Sequence, residues 1–261
     1  MKIIVCVKQV PGTNQVEVDP VTGVLKRDGV DSKLNPYDLF ALEAAFRLRD
    51  AFGGTVRTVS MGPNQAIPAL RETIYMGADS AVLLSDRKFA GADVHATSYA
   101  IQSGIRKMDD FDLIICGKQT TDGDTAQVGP EMAEWLGIEH VTNVLSLDKV
   151  EEDGITVTFN LDDRIQTQKM QFPCLLTIEK DAFTPRLPSY KRKKELGEGD
   201  VTVYTAADLA VDENKCGLKG SPTQVERIFP PEKNTDKELW EGSAEDLADR
   251  LNGFLREKKF V

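Results

Sequence analysis

The feature that most constrains this chain is the rhythm of its first half, where short apolar runs alternate with longer stretches of helical periodicity. That alternation is the mark of a parallel sheet whose strands are joined by crossover helices. Candidate strands are residues 3–7, 55–60, 81–84 and 113–116, each followed by a helix. The first helix is the best signalled. Asn35 suits the N-cap, Pro36 the first helical position and Asp38 position N3, Gly53 ends it, and Leu39, Leu42, Phe46 and Leu48 give it a buried stripe. The second helix is expected after Asn64 and up to Gly77, with Pro68 in its first turn, where a missing N–H costs little. A third spans about residues 93–107 and a fourth about 125–136.

The connections are less regular. Between the first strand and first helix lies an excursion, residues 11–34, whose DPVTG and KRDG turn signals predict a small hairpin. From about Leu145 the pattern changes to LSLDKV, DGITVTFNL, IQTQKMQF and PCLLTIEK, which predicts an antiparallel meander or edge strands. A basic stretch follows Pro185, then VTVYTAADL, then the irregular CGLKGSPTQVERIFPP. Residues 243–258 predict a final amphipathic helix, with Ser243 as cap and Leu247, Leu251, Phe254 and Leu255 on its apolar face. The whole is an α/β chain with a mostly parallel, doubly wound sheet, antiparallel edge strands and an extended C-terminal arm. Such a long tail is expected to lie on another subunit.

Composition narrows the function. At 261 residues the chain suits one large domain with an appendage. A net charge of −10, with both signs dispersed, argues against a nucleic-acid binder, which presents a basic face. No apolar run approaches the roughly 20 residues that span a bilayer. The N-terminus reads directly into a strand, MKIIVCVK, so the cytoplasm or an equivalent matrix is the expected location. Cys6, Cys116, Cys174 and Cys216 are far apart and mostly in apolar runs, which fits buried thiols rather than a disulfide framework. His95 and His140 have no ligand partners at metal spacing, so no metal site is expected.

Ligands of an open parallel sheet bind beyond the carboxyl ends of its strands, near the switch in strand order. The loops there are KQVPG, MGPNQ and GKQTTDGDTAQVGP. The last follows the strand LIIC and opens a helix, and its Thr125 hydroxyl and the amides from Thr125 to Gly129 suit a phosphate. An ordinary capped βα loop would read much the same. Asp122 and Asp124 repel phosphate and are assigned to capping, ribose contacts or a partner loop. There is no G-x-G-x-x-G after the first strand, no G-x-x-x-x-G-K-[ST] and no G-x-S-x-G, which argues against a Rossmann dehydrogenase, a P-loop NTPase and an α/β-hydrolase. An ATP-using enzyme of related fold would need a Ser-Gly-Gly loop where KQVPGT stands.

The KQVP strand end, NPYDLFALEAA, SMGP, MGAD, GKQTTDGDTAQVGP and the late GSPTQV occur in order over nearly the whole chain. Together they resemble the beta subunit of electron-transferring flavoproteins. The resemblance implies a fold like the adenine nucleotide alpha hydrolases, with residues 1–195 as a nucleotide- or FAD-binding domain and 196–261 as an arm and helix packing on the alpha subunit. It places adenine nucleotide contacts at Cys6, Asn35, Tyr37, Asp38, Met61, Gly117, Lys118, Gln119, Asp122, Gly123, Asp124, Thr125, Ala126, Gln127 and Val128. Core packing for Cys6 and Met61, and simple capping for Asn35, are the bland alternatives. The segment FAGADVHATSYA further resembles the bifurcating members of that family, in which Asp93 and Thr97 would sit near a second flavin. FAD is therefore expected over AMP, with NADH as electron donor or acceptor. Capping and packing explain Asp93 and Thr97 equally well, and His95 is expected at the surface. The family's docking loop corresponds to KDAFTPRLPSYKRKKE, with Phe183, Arg186, Leu187 and Tyr190 facing a flavin-dependent dehydrogenase other than a short-chain acyl-CoA dehydrogenase. Ferredoxin is a further possible partner. The rivals are a non-bifurcating, AMP-bearing carrier subunit and a stand-alone nucleotide-binding regulatory protein.

Overall fold

The computed structural model describes residues 1–12, 32–226 and 235–261, in two compact units, Met1–Glu226 and Arg227–Val261. In chain order the first unit holds β1 (Lys2–Cys6), β2 (Gln9–Pro11), β3 (Ser32–Leu34), α1 (Pro36–Phe52), β4 (Thr55–Met61), α2 (Ile67–Met76), β5 (Ser80–Leu84), α3 (Val94–Lys107) and β6 (Leu113–Gly117). There follow α4 (Val128–Leu136), β7 (Glu139–Val150), β8 (Gly154–Leu161), β9 (Arg164–Gln171), β10 (Cys174–Ile178), α5 (Tyr190–Leu196) and β11 (Val201–Tyr204). Nine strands form one sheet in the order β11-β5-β4-β1-β6-β10-β7-β8-β9. Every pairing from β11 to β7 is parallel, and only β8 and β9 add antiparallel pairs. The excursion after β1 is held at its base, where β2 pairs antiparallel with β3. Its two turn signals lie outside the described residues.

The strands alternate between two cores, as a doubly wound sheet requires. Ile3, Val5, Leu113 and Ile115 pack with Leu42 and Phe46 of α1 and with Leu70 and Ile74 of α2. Ile4, Ile114 and Cys116 pack with Ile101 and Ile105 of α3 and with Met132 and Ala133 of α4. Chain order reverses across β1: the chain first runs outward through β4 and β5, then returns to β6 on the other side. The switch point therefore lies between β1 and β6.

Two strand assignments differ from the sequence expectation. PCLLTIEK is no edge strand. As β10 it lies between β6 and β7, parallel to both and wholly buried, because a run apolar on both faces and broken only by Thr177 needs cover on both. VTVY, expected in the arm, closes the opposite edge of the sheet as β11 against β5, so residues 196–226 belong to the first unit. The helices follow their end signals more closely. Gly53, at φ 73°, ends α1, and Leu42, Phe46 and Leu48 are buried while Leu39 is half-buried. Residues 64–66 form a single 3-10 turn before α2. α4 begins at Val128 rather than near Thr125, because Asp124 and Ala126 take left-handed conformations, φ 50° and 55°, that no right-handed helix admits.

The second unit contains α6 (Ala244–Glu257), capped by the Ser243 hydroxyl, which accepts from the Asp246 amide at 3.2 Å. Trp240 packs edge-on against Phe254, with centroids 5.7 Å apart, and Arg250 lies over the indole at 4.5 Å.

Candidate functional site

The loops after β1 and β6 meet the start of α1 through one buried residue. Asn35 is 0% exposed. Its backbone N–H donates to Lys8 O at 2.8 Å, but its side chain does not cap α1. Instead the side-chain amide donates to Asp38 Oδ1 at 2.8 Å and to Gln119 O at 2.9 Å, and its oxygen accepts from the Thr121 N–H at 3.2 Å. Pro36, lacking an N–H, lowers the demand for a cap and leaves the amide free for this clip.

Asp38 also departs from its expected N3 role. Oδ2 accepts from the Lys8 N–H at 2.7 Å, joining α1 to the end of β1. Burial pushes its pKa up to about 7, outweighing the hydrogen bonds from Asn35 and Lys8. Gly117 lies directly against this pair: a Cβ there would stand 2.5 Å from Asp38 Oδ1 and 2.7 Å from the Tyr37 carbonyl carbon. Only glycine permits so close an approach. Tyr37 is half-buried beside it.

The β6 loop is shaped by charge and by backbone. Lys8 Nζ reaches both carboxylate oxygens of Asp122 at 2.8 Å. Burial would raise the Asp122 pKa, but Lys8 more than offsets it and holds the carboxyl below its ordinary value. The same ion pair screens the charge that would oppose a phosphate. Lys118 pairs with Glu179 at 2.8 Å, and Gln119 donates to Asp124 Oδ1 at 2.9 Å. Gly123, Asp124, Thr125 and Gln127 are exposed, while Ala126 and Val128 are half-buried. Among the described residues the Thr125, Ala126 and Gln127 amides have no hydrogen-bond acceptor. Left-handed residues at Asp124 and Ala126, just before a helix start, turn successive N–H groups toward one side, a backbone concavity suited to an anionic oxygen. Cys6 and Met61, at the ends of β1 and β4, are partly buried against the α3/α4 core.

The third sequence-predicted element lies at the start of α3. Asp93 caps that helix, accepting from the Ala96 N–H at 3.1 Å, and its other oxygen accepts from the Thr223 N–H at 3.0 Å and hydroxyl at 2.8 Å. The Asp93 N–H donates to Ser221 Oγ at 2.8 Å. Burial would raise the Asp93 pKa, yet these donors lower it. The late GSPTQV segment therefore braces α3, a role its sequence position did not suggest. Thr97 is half-buried and carries no side-chain hydrogen bond among the described residues. α3 and α4 lie side by side, tied by Ser98 to Glu131 at 3.1 Å. His95, expected at the surface, is half-buried against Trp135, with ring centroids 5.3 Å apart.

The four docking candidates divide by burial. Arg186 is an anchor: it meets Glu43 at 2.8 Å and Asp50 at 3.1 Å and lies 4.9 Å from the Phe46 ring centroid. Burial acts to raise the Glu43 pKa, and Arg186 and Arg47 bring it below its ordinary value. Phe183 is half-buried, covered by Arg47 at 5.4 Å. Leu187 and Tyr190 instead point to solvent at 86% and 81% exposure. Glu43, Lys8 and Glu179 were missed in the sequence; the Glu43/Arg47 spacing was the one available signal. Among the described residues no cluster of ligating side chains would hold a metal, and no helix is long and apolar enough to cross a membrane.

Comparison with known proteins bears on this arrangement. Residues 22–209 match the electron transfer flavoprotein domain family. The chain is 46% identical to an electron transfer flavoprotein subunit beta of Thermoanaerobacterium thermosaccharolyticum, covering 97% of this chain and 98% of that one. It is 44% identical to the subunit beta of Clostridium acetobutylicum and 43% identical to the caffeyl-CoA reductase-Etf complex subunit CarD of Acetobacterium woodii, both over the full length of each chain.

Proposed function

The chain belongs to the electron transfer flavoprotein family as a beta subunit, and from that premise we propose that it holds FAD beyond the carboxyl ends of β1, β4 and β6 and works in a heterodimer with an alpha subunit. In that assembly it passes electrons between NADH, a flavin-dependent dehydrogenase and a low-potential acceptor such as ferredoxin, in the cytoplasm. The bound flavin supplies the redox chemistry; the protein supplies position and electrostatics. Asn35 and Asp38 fix the β1 and β6 loops relative to each other, Lys8 offsets Asp122, and the amides from Thr125 to Gly129 hold the phosphate. Asp93 and Thr97 lie toward the flavin end, and Leu187 and Tyr190 form the tip that meets the dehydrogenase.

What carries the nucleotide assignment is the meeting of the β1 and β6 loops with the start of α1 at the switch point of a doubly wound sheet, through side chains that leave a row of backbone amides free. The likeness to a subunit of a caffeyl-CoA reductase complex favours a place in a dehydrogenase assembly over a stand-alone regulatory role. One observation favours the AMP-bearing alternative. Both Asp93 oxygens are already occupied by Ala96 and Thr223, which leaves the Thr97 hydroxyl as the group open to a flavin. The test is to co-express the chain with its alpha-type subunit, release the cofactors by denaturation and count them. Two FAD and no AMP per heterodimer are expected. One FAD with one AMP would remove bifurcation, and no nucleotide in a folded complex would remove the site.

A further inference from the structure

Two of the four cysteines face each other at the switch point. Cys6 ends β1, Cys116 is the penultimate residue of β6, and the parallel register pairs them directly. In-register neighbours on parallel strands project to the same face. Both cysteines pack on the α3/α4 core, one within it and one against its edge. Neighbouring strands lie about 4.8 Å apart, inside the Cα separation of roughly 4.4–6.8 Å that a disulfide spans. Closing the bond asks only that the two Cβ atoms approach to about 3.8 Å. The other cysteines have no such neighbour. Cys174 pairs in register with Leu113 and packs on the opposite face, and Cys216 is buried beside a 3-10 turn. Cys6 alone of the four is partly exposed, so an oxidant reaches it first.

We propose that Cys6 and Cys116 are a thiol-redox site, forming a reversible intramolecular disulfide where the β1 and β6 loops begin. The oxidant is a small-molecule disulfide, of the glutathione disulfide class. The Cys6 thiolate attacks one of its sulfurs, making a mixed disulfide and releasing one thiol. Cys116 then gives up its proton and attacks Cys6 Sγ, closing the internal bond and releasing the second thiol. Two protein thiols are thereby oxidised and one disulfide is reduced to two thiols. In the reduced pair the neighbouring Cys6 thiol and burial hold the Cys116 thiol well above its ordinary pKa; burial remains once Cys6 is in the mixed disulfide, and it slows the second step.

The position gives the bond leverage. Cys6 lies two residues before Lys8, whose amide and amine are held by Asp38 and Asp122, and Cys116 adjoins Gly117, packed on Asp38. A nucleotide seated over these loops covers Cys6 and slows the reaction; that part alone rests on the proposed function. The test uses the purified heterodimer, with bound nucleotide and after its removal. Each form is incubated with oxidised glutathione, quenched by alkylation, denatured and peptide-mapped. Expected is a Cys6–Cys116 linked peptide lighter by two hydrogens, with the chain's alkylatable thiols falling from four to two, reversal by dithiothreitol, and slower closure with nucleotide bound. In Cys6→Ser, Cys116 should remain alkylatable. Closure at equal rates in the two forms still supports the redox pair and counts only against the nucleotide reading. A stable glutathione adduct on Cys6 beside a free Cys116, or no oxidation in either form, overturns the proposal, and both outcomes are read on the unsubstituted protein.

Discussion

Replacing Asn35 by alanine tests whether one buried amide joins the two loops of the site. The substitution removes three hydrogen bonds: to Asp38 at 2.8 Å, to Gln119 O at 2.9 Å and from Thr121 N–H at 3.2 Å. A typical internal hydrogen bond contributes about 1 kcal/mol net, and a buried group left without its partner costs about 1–3 kcal/mol. Gln119 and Thr121 belong to a partly exposed loop, where water replaces much of what they lose. Asp38 does not, because it is 4% exposed. The expected loss is therefore about 2–4 kcal/mol, or a fall in Tm of roughly 5–15 °C for a unit of this size. Bound nucleotide should be lost in parallel, since the β6 loop is freed from α1. Asn35→Asp sharpens the test. It keeps an acceptor for Thr121 but places a second carboxyl against Asp38, so its loss of stability from pH 5 to pH 8 should exceed the loss Asp38 alone gives the parent. Thermal unfolding of the heterodimer by circular dichroism, with nucleotide counted after purification, measures both effects. If Asn35→Ala unfolds within a degree or two of the parent and retains its nucleotide, the clip does not hold the site and the reasoning fails.

Asp38 should leave a signature in the pH dependence of stability. Its folded-state pKa, about 7, stands above the ordinary 3.8, so the folded protein binds more protons between those values. Its stabilising contribution is complete below about pH 4, declines as pH rises and is gone above about pH 7, a span of up to about 4 kcal/mol. Asp38→Asn should lack that slope when urea midpoints are compared between pH 4.5 and pH 8, and an unchanged slope would remove Asp38 as its source. Gly117→Ala drives a methyl group into Asp38 and Tyr37; it should destabilise by about 1–3 kcal/mol and deplete bound nucleotide, which thermal unfolding and cofactor analysis will detect. Leu187→Asp and Arg186→Ala should separate cleanly. The first, at a side chain 86% exposed, should leave Tm unchanged and abolish docking to the dehydrogenase in a pull-down or electron-transfer assay. The second should lower stability by about 1–3 kcal/mol, because it leaves the buried Glu43 with the half-exposed Arg47 alone. Equal docking by Leu187→Asp and the parent would show that the exposed tip is not the contact.

What the sequence displayed and what it concealed divide along the range of the interactions. α1 could be read because its start and stop are set by Asn35, Pro36 and Gly53, which act on their own neighbours. Even there, the cap was legible in place but not in use: the Asn35 side chain serves a loop 84 residues away, and no local rule records that. The same limit hid the brace between Asp93 and Thr223, 130 residues apart, and the pairing of VTVY with β5. β10 is different, since its signal was present. IQTQKMQF is mostly polar, as an exposed edge strand is, whereas CLLTI is apolar except for Thr177, and so apolar a run marks a strand covered on both faces. Weighing that contrast moves PCLLTIEK from the edge to the centre, and with it the Glu179 that receives Lys118 at the mouth of the site. The left-handed turns at Asp124 and Ala126 had no such signal, because neither residue is glycine. They are held by their surroundings, Asp124 through Gln119 and Thr120, and the chain accepts that backbone cost where free amides are gathered for a ligand.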